Sequence, residues 1–222
     1  MTEFRNIGHY VSKIISAKVE QNNPFKVVVG YITCDQTTHT GLPISNYSLS
    51  IYNGLDSPIG KTPVMEFHDI TASNENNNCT LTTSMDLLSG NYTIALSVGE
   101  NIPRTLCSYI QLNHGDVIGS FNSNLYLESI IETQLGFEIN IRFDVLAGIK
   151  PVQNGDYIII YDVTGKAARI GFQEINHDHA EGIQTVYLDS LNAGAQITIG
   201  YYCGNYLGAC AAKQRIMISQ LN

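Results

Sequence analysis

The stretch "EINHDHAE", Glu174 to Glu181, holds the residue types best suited to chemistry in this chain. His177 and His179 are two apart, so on an extended segment both imidazoles leave the same side of the backbone. Glu181 adds a carboxylate two residues further on, and Asp178 is a nearby substitute. Two imidazoles and an oxygen donor suit zinc. The candidate metal ligands are therefore His177, His179 and Glu181. The competing expectation is a polar, exposed loop between two strands. Calcium is the other cation to weigh, because Asp56, Asp69, Glu75, Asp86, Asp156, Glu174 and Asp189 all fall near turn residues. No D-x-D-x-D-G loop gathers them. The expectation is no cofactor, with calcium or zinc as the alternative.

A second constellation is aromatic. Tyr201, Tyr202 and Tyr206 cluster around "CGN", where a hairpin tip would expose them. Exposed tyrosine suits recognition, since it offers area and a hydroxyl at low entropy cost. These three are the candidate partner contacts. For catalysis the residues offer little. G-x-S-x-G and H-E-x-x-H are absent, and His39, His68 and His114 are isolated. The glycines of "GYYCGNYLGAC" lie between two strands and read as a hairpin, not a phosphate loop. The chain is expected not to be an enzyme. Its five cysteines form no C-x-x-C pair and no zinc-like spacing. They read as free thiols of a reducing compartment, with a Cys203–Cys210 bridge across a hairpin as the alternative.

The elements that would carry these residues are strands. "YTIALSV", "VVVGYI", "INIRFDV" and "YIIIYDV" are rich in β-branched and aromatic residues, and several alternate apolar and polar with period two. Clusters of Gly, Asn, Asp and Pro punctuate them. Short blocks also recur in order. "YVSKIIS" (Tyr10–Ser16) matches "YLESIIE" (Tyr126–Glu132), and Phe25 matches Phe137. "NYSLSIY" matches "DYIIIYD", and "MEFHDI" matches "IGFQEI" with Phe67 opposite Phe172. The expectation is an all-β protein of two tandem immunoglobulin-like β-sandwiches related by internal duplication. The first would span residues 1–112 and the second 125–222, with a short linker at 113–124.

Composition limits the partners. The formal net charge is -8 over 222 residues, without a basic face, which argues against a nucleic-acid partner. No apolar run approaches the roughly 18 residues of a membrane helix. The polar residues of "MTEFRNIGHYVSKIIS" do not fit a secretory signal, so a cytoplasmic location is expected. Only 14% of residues are charged, well below the roughly 25% of ordinary domains. Such a surface suits protein contact or stacking into arrays.

"GDYIIIYDVTGKAARIGFQEI" followed by "VYLDSLNAGAQITIGYYCGNYLGAC" resembles the SKICH domain of autophagy receptors and inositol phosphatases. Asp156, Tyr157, Ile158, Ile160, Tyr161 and Val163 fit that family's aromatic-aliphatic strand. Leu191, Tyr201, Tyr202, Gly208 and Ala209 fit its later stretch. Tyr157 stands where the family usually has Trp, and Ile159 where it usually has Gly. The resemblance implies an immunoglobulin-like sandwich used for protein contact, without catalytic residues. The expected function is a non-enzymatic protein-interaction or self-assembly module, binding a protein partner or forming a homo-oligomer. The alternatives are a structural subunit of a filament, coat or array, and a protein binding calcium, another metal or carbohydrate through its loops.

Overall fold

The structure is a computed structural model, and it describes residues 2–22, 25–34, 46–70, 77–83, 90–99, 102–205 and 208–221. Among these, the chain is all-β, with two single-turn helices. The first half contains β1 (Glu3–Val11), β2 (Lys13–Asn22), β3 (Phe25–Ile32), β4 (Tyr47–Asn53), β5 (Met65–Ile70), β6 (Asn77–Thr83), β7 (Asn91–Ser97), α1 (Ile102–Thr105), β8 (Leu106–Asn113) and β9 (Asp116–Asn122). The second contains β10 (Asn124–Thr133), β11 (Gly136–Asp144), α2 (Pro151–Asn154), β12 (Tyr157–Asp162), β13 (Ala168–Glu174), β14 (Glu181–Leu188), β15 (Gln196–Tyr202) and β16 (Cys210–Gln220).

The strands form two three-stranded and two five-stranded antiparallel sheets. In the first half, β2-β3-β6 faces β5-β4-β7-β8-β9; in the second, β10-β11-β14 faces β13-β12-β15-β16-β1. Aromatic pairs bridge the facing sheets: Phe25 with Tyr92 at 5.0 Å between ring centroids, and Phe143 with Tyr201 at 5.5 Å. Truncating either phenylalanine to alanine would cost about 3–5 kcal/mol, the usual penalty for an aromatic cavity. Alternate strand residues such as Val27, Val29, Ile139 and Ile141 fill the same core, as period-two alternation requires.

The fifth strand of each large sheet is an edge strand that continues into the other sandwich, and of the two only β1 pairs with a strand distant in sequence. β1 precedes β2 directly yet pairs with β16 of the other half, Phe4 opposite Ile218 and Tyr10 opposite Lys213. β9 precedes β10 directly yet pairs with β8 of the first half. Each long extended segment therefore crosses from one sandwich to the other, pivoting at Ser12 or at Ser123. Both serines are buried. Buried residues of both halves belong to one continuous hydrophobic cluster.

The stretch 113–124, expected as a linker, is thus mostly strand β9. His114 (φ 51°) and Gly115 (φ 94°) make a two-residue turn with both φ values positive. Such a turn matches the twist of a hairpin, so β8 folds straight back into β9. The two halves also align differently from the opening match. Tyr10 lies on β1, whereas Tyr126 lies on β10. Ser12 and Ser123 hold the corresponding positions. Phe25 opens β3 opposite Thr83 of β6, and Phe137 is the second residue of β11, opposite Leu188 of β14. Phe67 packs against the main core, while Phe172 lies on the opposite face of its sheet against Tyr157.

Candidate functional site

His177 sits in the connection between β13 and β14, half-buried. Its ring stacks on Phe143 with centroids 5.2 Å apart and planes at 20°. Gly182 makes room for it, because a Cβ there would collide with the imidazole of His177. His179 follows at 5.6 Å between ring centroids. Glu181 begins β14 directly opposite Asp144. Burial, with the Glu181 charge second, pushes the Asp144 carboxyl above its ordinary value. Asp178 turns towards α2 and accepts hydrogen bonds from the Val152 and Gln153 N–H groups at 2.9 and 3.2 Å. Among the described residues, no three of His, Cys, Asp or Glu are placed to hold a metal ion. The ligand set His177, His179 and Glu181 is therefore not assembled. One imidazole is committed to an aromatic stack, and the carboxylate faces another carboxylate.

The tyrosine contacts are likewise relocated. Tyr201 is 0% and Tyr202 3% exposed, so neither can touch a partner. β15 is a central strand between β12 and β16, and both its faces are covered. Tyr201 points into the main core. Tyr202 joins a smaller cluster with Cys34, Tyr157, Ile159, Tyr161 and Cys210, and stacks on Tyr157 at 5.3 Å with planes 3° apart. Cys34 comes from the first half, so this cluster fastens one sandwich to the other. Tyr206 lies outside the described residues.

Asp156 is the most perturbed acid. It is 1% exposed and accepts hydrogen bonds from the Tyr201 hydroxyl, the Gly204 N–H and the Asn154 amide, each at 2.7 Å. Burial raises its carboxyl to about 6, the three donors opposing the rise only in part. The donors tie the end of β15, the following turn and the start of β12 together. All five cysteines are free thiols. Burial pushes the Cys107 and Cys203 thiols well up, which keeps them protonated and poorly nucleophilic.

The outer face of β10-β11-β14 stands apart. Strand register places its outward residues in three rows: Tyr126, Arg142 and Ile183; Ser129, Asn140 and Thr185; Ile131, Glu138 and Tyr187. Tyr126 is 46%, Ile131 43%, Ile183 53% and Tyr187 68% exposed. The middle row is joined by hydrogen bonds, Asn140 donating to the Ser129 hydroxyl at 3.0 Å and the Thr185 hydroxyl donating to Asn140 at 2.7 Å. The row is therefore a hydrogen-bonded polar band between two rows in which an aromatic and an aliphatic side chain flank a charged one. Beside Tyr187 a cavity of about 550 Å³ opens between Leu135, Phe137, Glu138 and Asp189. Gly136, at φ 133°, forms the tight turn that leaves Leu135 projecting.

The matching face of the first half is more polar, with Ile15 its one large side chain exposed to a similar degree among the described residues. Its rows bring Ser16, Gly30 and Asn78 together, then Lys18, Val28 and Thr80. Lys26 there is paired with Glu20 at 2.7 Å. The two sandwiches thus share a frame and differ on this surface. Period-two reading of β11 and β14 could have shown which residues point outward. It could not show which of them share a row.

No protein-family model matches the chain, and neither does any curated protein. Among the described residues, no helix is long and apolar enough to cross a membrane.

Proposed function

We propose that this protein is a non-enzymatic interaction module whose contact surface is the outer face of β10-β11-β14. The observation that carries this reading is four large side chains exposed on one sheet, Tyr126 and Ile183 flanking Arg142, and Ile131 and Tyr187 flanking Glu138. Burying such side chains is what drives association, and tyrosine is favoured at contact surfaces. The more polar face of the sister sandwich, where Ile15 alone among the described residues is a large side chain so exposed, makes the difference local rather than a property of the fold. The SKICH resemblance of the second half supports the same kind of work. A binding role also accounts for Asp156, whose carboxylate is closed off by three donors within the fold.

The test is capture from an extract of the source cells, by cross-linking to the wild-type chain and to two variants. One carries Ile183→Ser with Tyr187→Ser, and the other Lys18→Ser with Thr80→Ala on the polar sheet. A contact module loses its cross-linked partners in the first and keeps them in the second. Equal capture by all three overturns the reading.

The cavity beside Tyr187 favours one second reading. An exposed tyrosine flanked by Glu138, Asp189 and Gln134 offers a ring for stacking and acceptors for hydroxyls, as a sugar requires. Glycan-array binding that Tyr187→Ala abolishes would support it, and a blank array would dismiss it.

A further inference from the structure

The geometry points to a second copy of this chain as the occupant of that face. This rests on the reading that the face is a contact surface, and it adds the partner and the symmetry.

The two outer rows read in opposite senses. Across β10, β11 and β14, one row runs Tyr126, Arg142, Ile183, and the other runs Ile131, Glu138, Tyr187. Between them lies the Ser129, Asn140, Thr185 row. Turn a second copy over about a twofold axis along this middle row. Tyr126 then meets Ile131 of the second copy, Arg142 meets Glu138, and Ile183 meets Tyr187. The polar row meets itself, where Ser, Asn and Thr each offer both a donor and an acceptor. Every contact occurs twice, as an isologous interface requires.

Charge selects this axis. A twofold axis along the strands would instead set Arg142 on Arg142 and Glu138 on Glu138. Like charges placed together at an interface disfavour that arrangement. Among the described residues neither Arg142 nor Glu138 is in an ion pair within the chain. Both remain available to a partner. At the rims, Asp144 comes opposite Gly136 and Glu181 opposite Asp189, the latter pair in solvent where repulsion is weak.

The patch is small. Three strands by three outward residues cover roughly 300–400 Å² on each copy, about half of what a standard stable interface uses. The pairing is therefore weak and transient. It gains when copies are concentrated or tethered.

The test is sedimentation equilibrium of the full chain up to about 1 mM, a range matched to an interface of this size. Arg142→Glu alone and Glu138→Arg alone each weaken self-association at least tenfold. Mixing the two single variants restores it, because each mixed pair then has two opposite-charge contacts. The double variant R142E/E138R also associates. Circular dichroism melting confirms that the surface variants are folded. A wild-type chain that stays monomeric throughout overturns the inference, as does a wild-type association that the charge variants leave unchanged. Failure of mixing to restore association overturns the twofold geometry. A monomeric chain whose Ile183 and Tyr187 variants still lose cross-linked proteins leaves the contact reading standing without the second copy. Loss of both removes both.

Discussion

Ser12 and Ser123 occupy the same place in the two sandwich-to-sandwich crossings, each with its main-chain N–H on a carbonyl of the strand it passes: Ala211 for Ser12 and Cys107 for Ser123, both at 2.8 Å. Their side chains are used differently. The Ser12 hydroxyl accepts the Cys34 N–H at 2.8 Å and donates to the Cys210 carbonyl at 3.0 Å, so one oxygen joins three distant segments. The Ser123 hydroxyl is buried without a hydrogen-bond partner among the described residues.

The two pivots should therefore respond oppositely to the same substitution. Ser12→Ala leaves the buried Cys34 N–H orphaned and lowers stability by about 2 kcal/mol. Ser123→Ala removes an unsatisfied oxygen and changes stability by less than about 0.5 kcal/mol, or raises it. Urea unfolding measures both. Equal losses would show that the Ser12 hydroxyl is not the join described here.

Asp156 gives the fold a pH dependence. Its carboxyl titrates near 3.8 when unfolded and at about 6 in the native state. Between those values the folded chain keeps a proton that the unfolded chain releases. Stability from this group is therefore greatest below 3.8 and is lost as pH rises towards 6. The loss is about 3 kcal/mol, and the curve is flat above it. Asp156→Asn should lower stability generally, since its NH₂ would face donors, and should abolish this slope. A wild-type and variant pair with parallel stability-against-pH curves from pH 4 to 7 would refute the assignment.

The thiols report the core. Cys34, Cys107, Cys203 and Cys210 are buried, and Cys79 on β6 is partly exposed. A small aromatic disulfide reagent should react quickly with one equivalent of native protein and with five after denaturation. Replacing Cys79 by Ser should remove the fast equivalent and leave the slow ones. Rapid reaction of two or more thiols in the native chain would contradict the sealed cluster of Cys34 and Cys210.

The β1–β16 pairing can be tested by removing β1. A chain without residues 1–11 leaves β16 with an open edge along Phe4's partner Ile218 and Tyr10's partner Lys213. Hydrogen exchange across β16 should rise at least tenfold. A synthetic peptide of residues 2–12 should restore protection by strand addition. Unchanged exchange in the truncated chain would mean that β1 does not complete that sheet.

Strand content was legible in the sequence because it is written locally. "NYTIALS" and "YIIIYD" announce themselves by β-branched and aromatic residues, and both are central strands. Register was not, and the reason is physical. A period-two pattern resembles itself at many offsets, so Tyr10–Ser16 and Tyr126–Glu132 match although they stand in different strands. The pairing of β1 with β16 was also hidden, since a strand's sequence does not name its distant partner. The turn at His114 and Gly115 held the missing signal, a two-residue loop followed by the alternating "DVIGSFN". Among the site residues, Tyr201 and His177 misled because polar-tipped rings suit a core as well as a surface. The rows of the outer face could be assembled only once the pairing of three strands was known.

The β1–β16 pairing bears on how the chain is made. β1 leaves the ribosome roughly 200 residues before β16, its one strand partner among the described residues, which at ordinary elongation rates is on the order of 10–40 s. Throughout that time a strand carrying Phe4, Ile7 and Tyr10 has no edge to join. Two nascent chains on one message could trade it, each finishing the other's last sheet. The protein should therefore need a holding chaperone early in translation, and crowded polysomes should yield interlocked pairs that dilution does not separate.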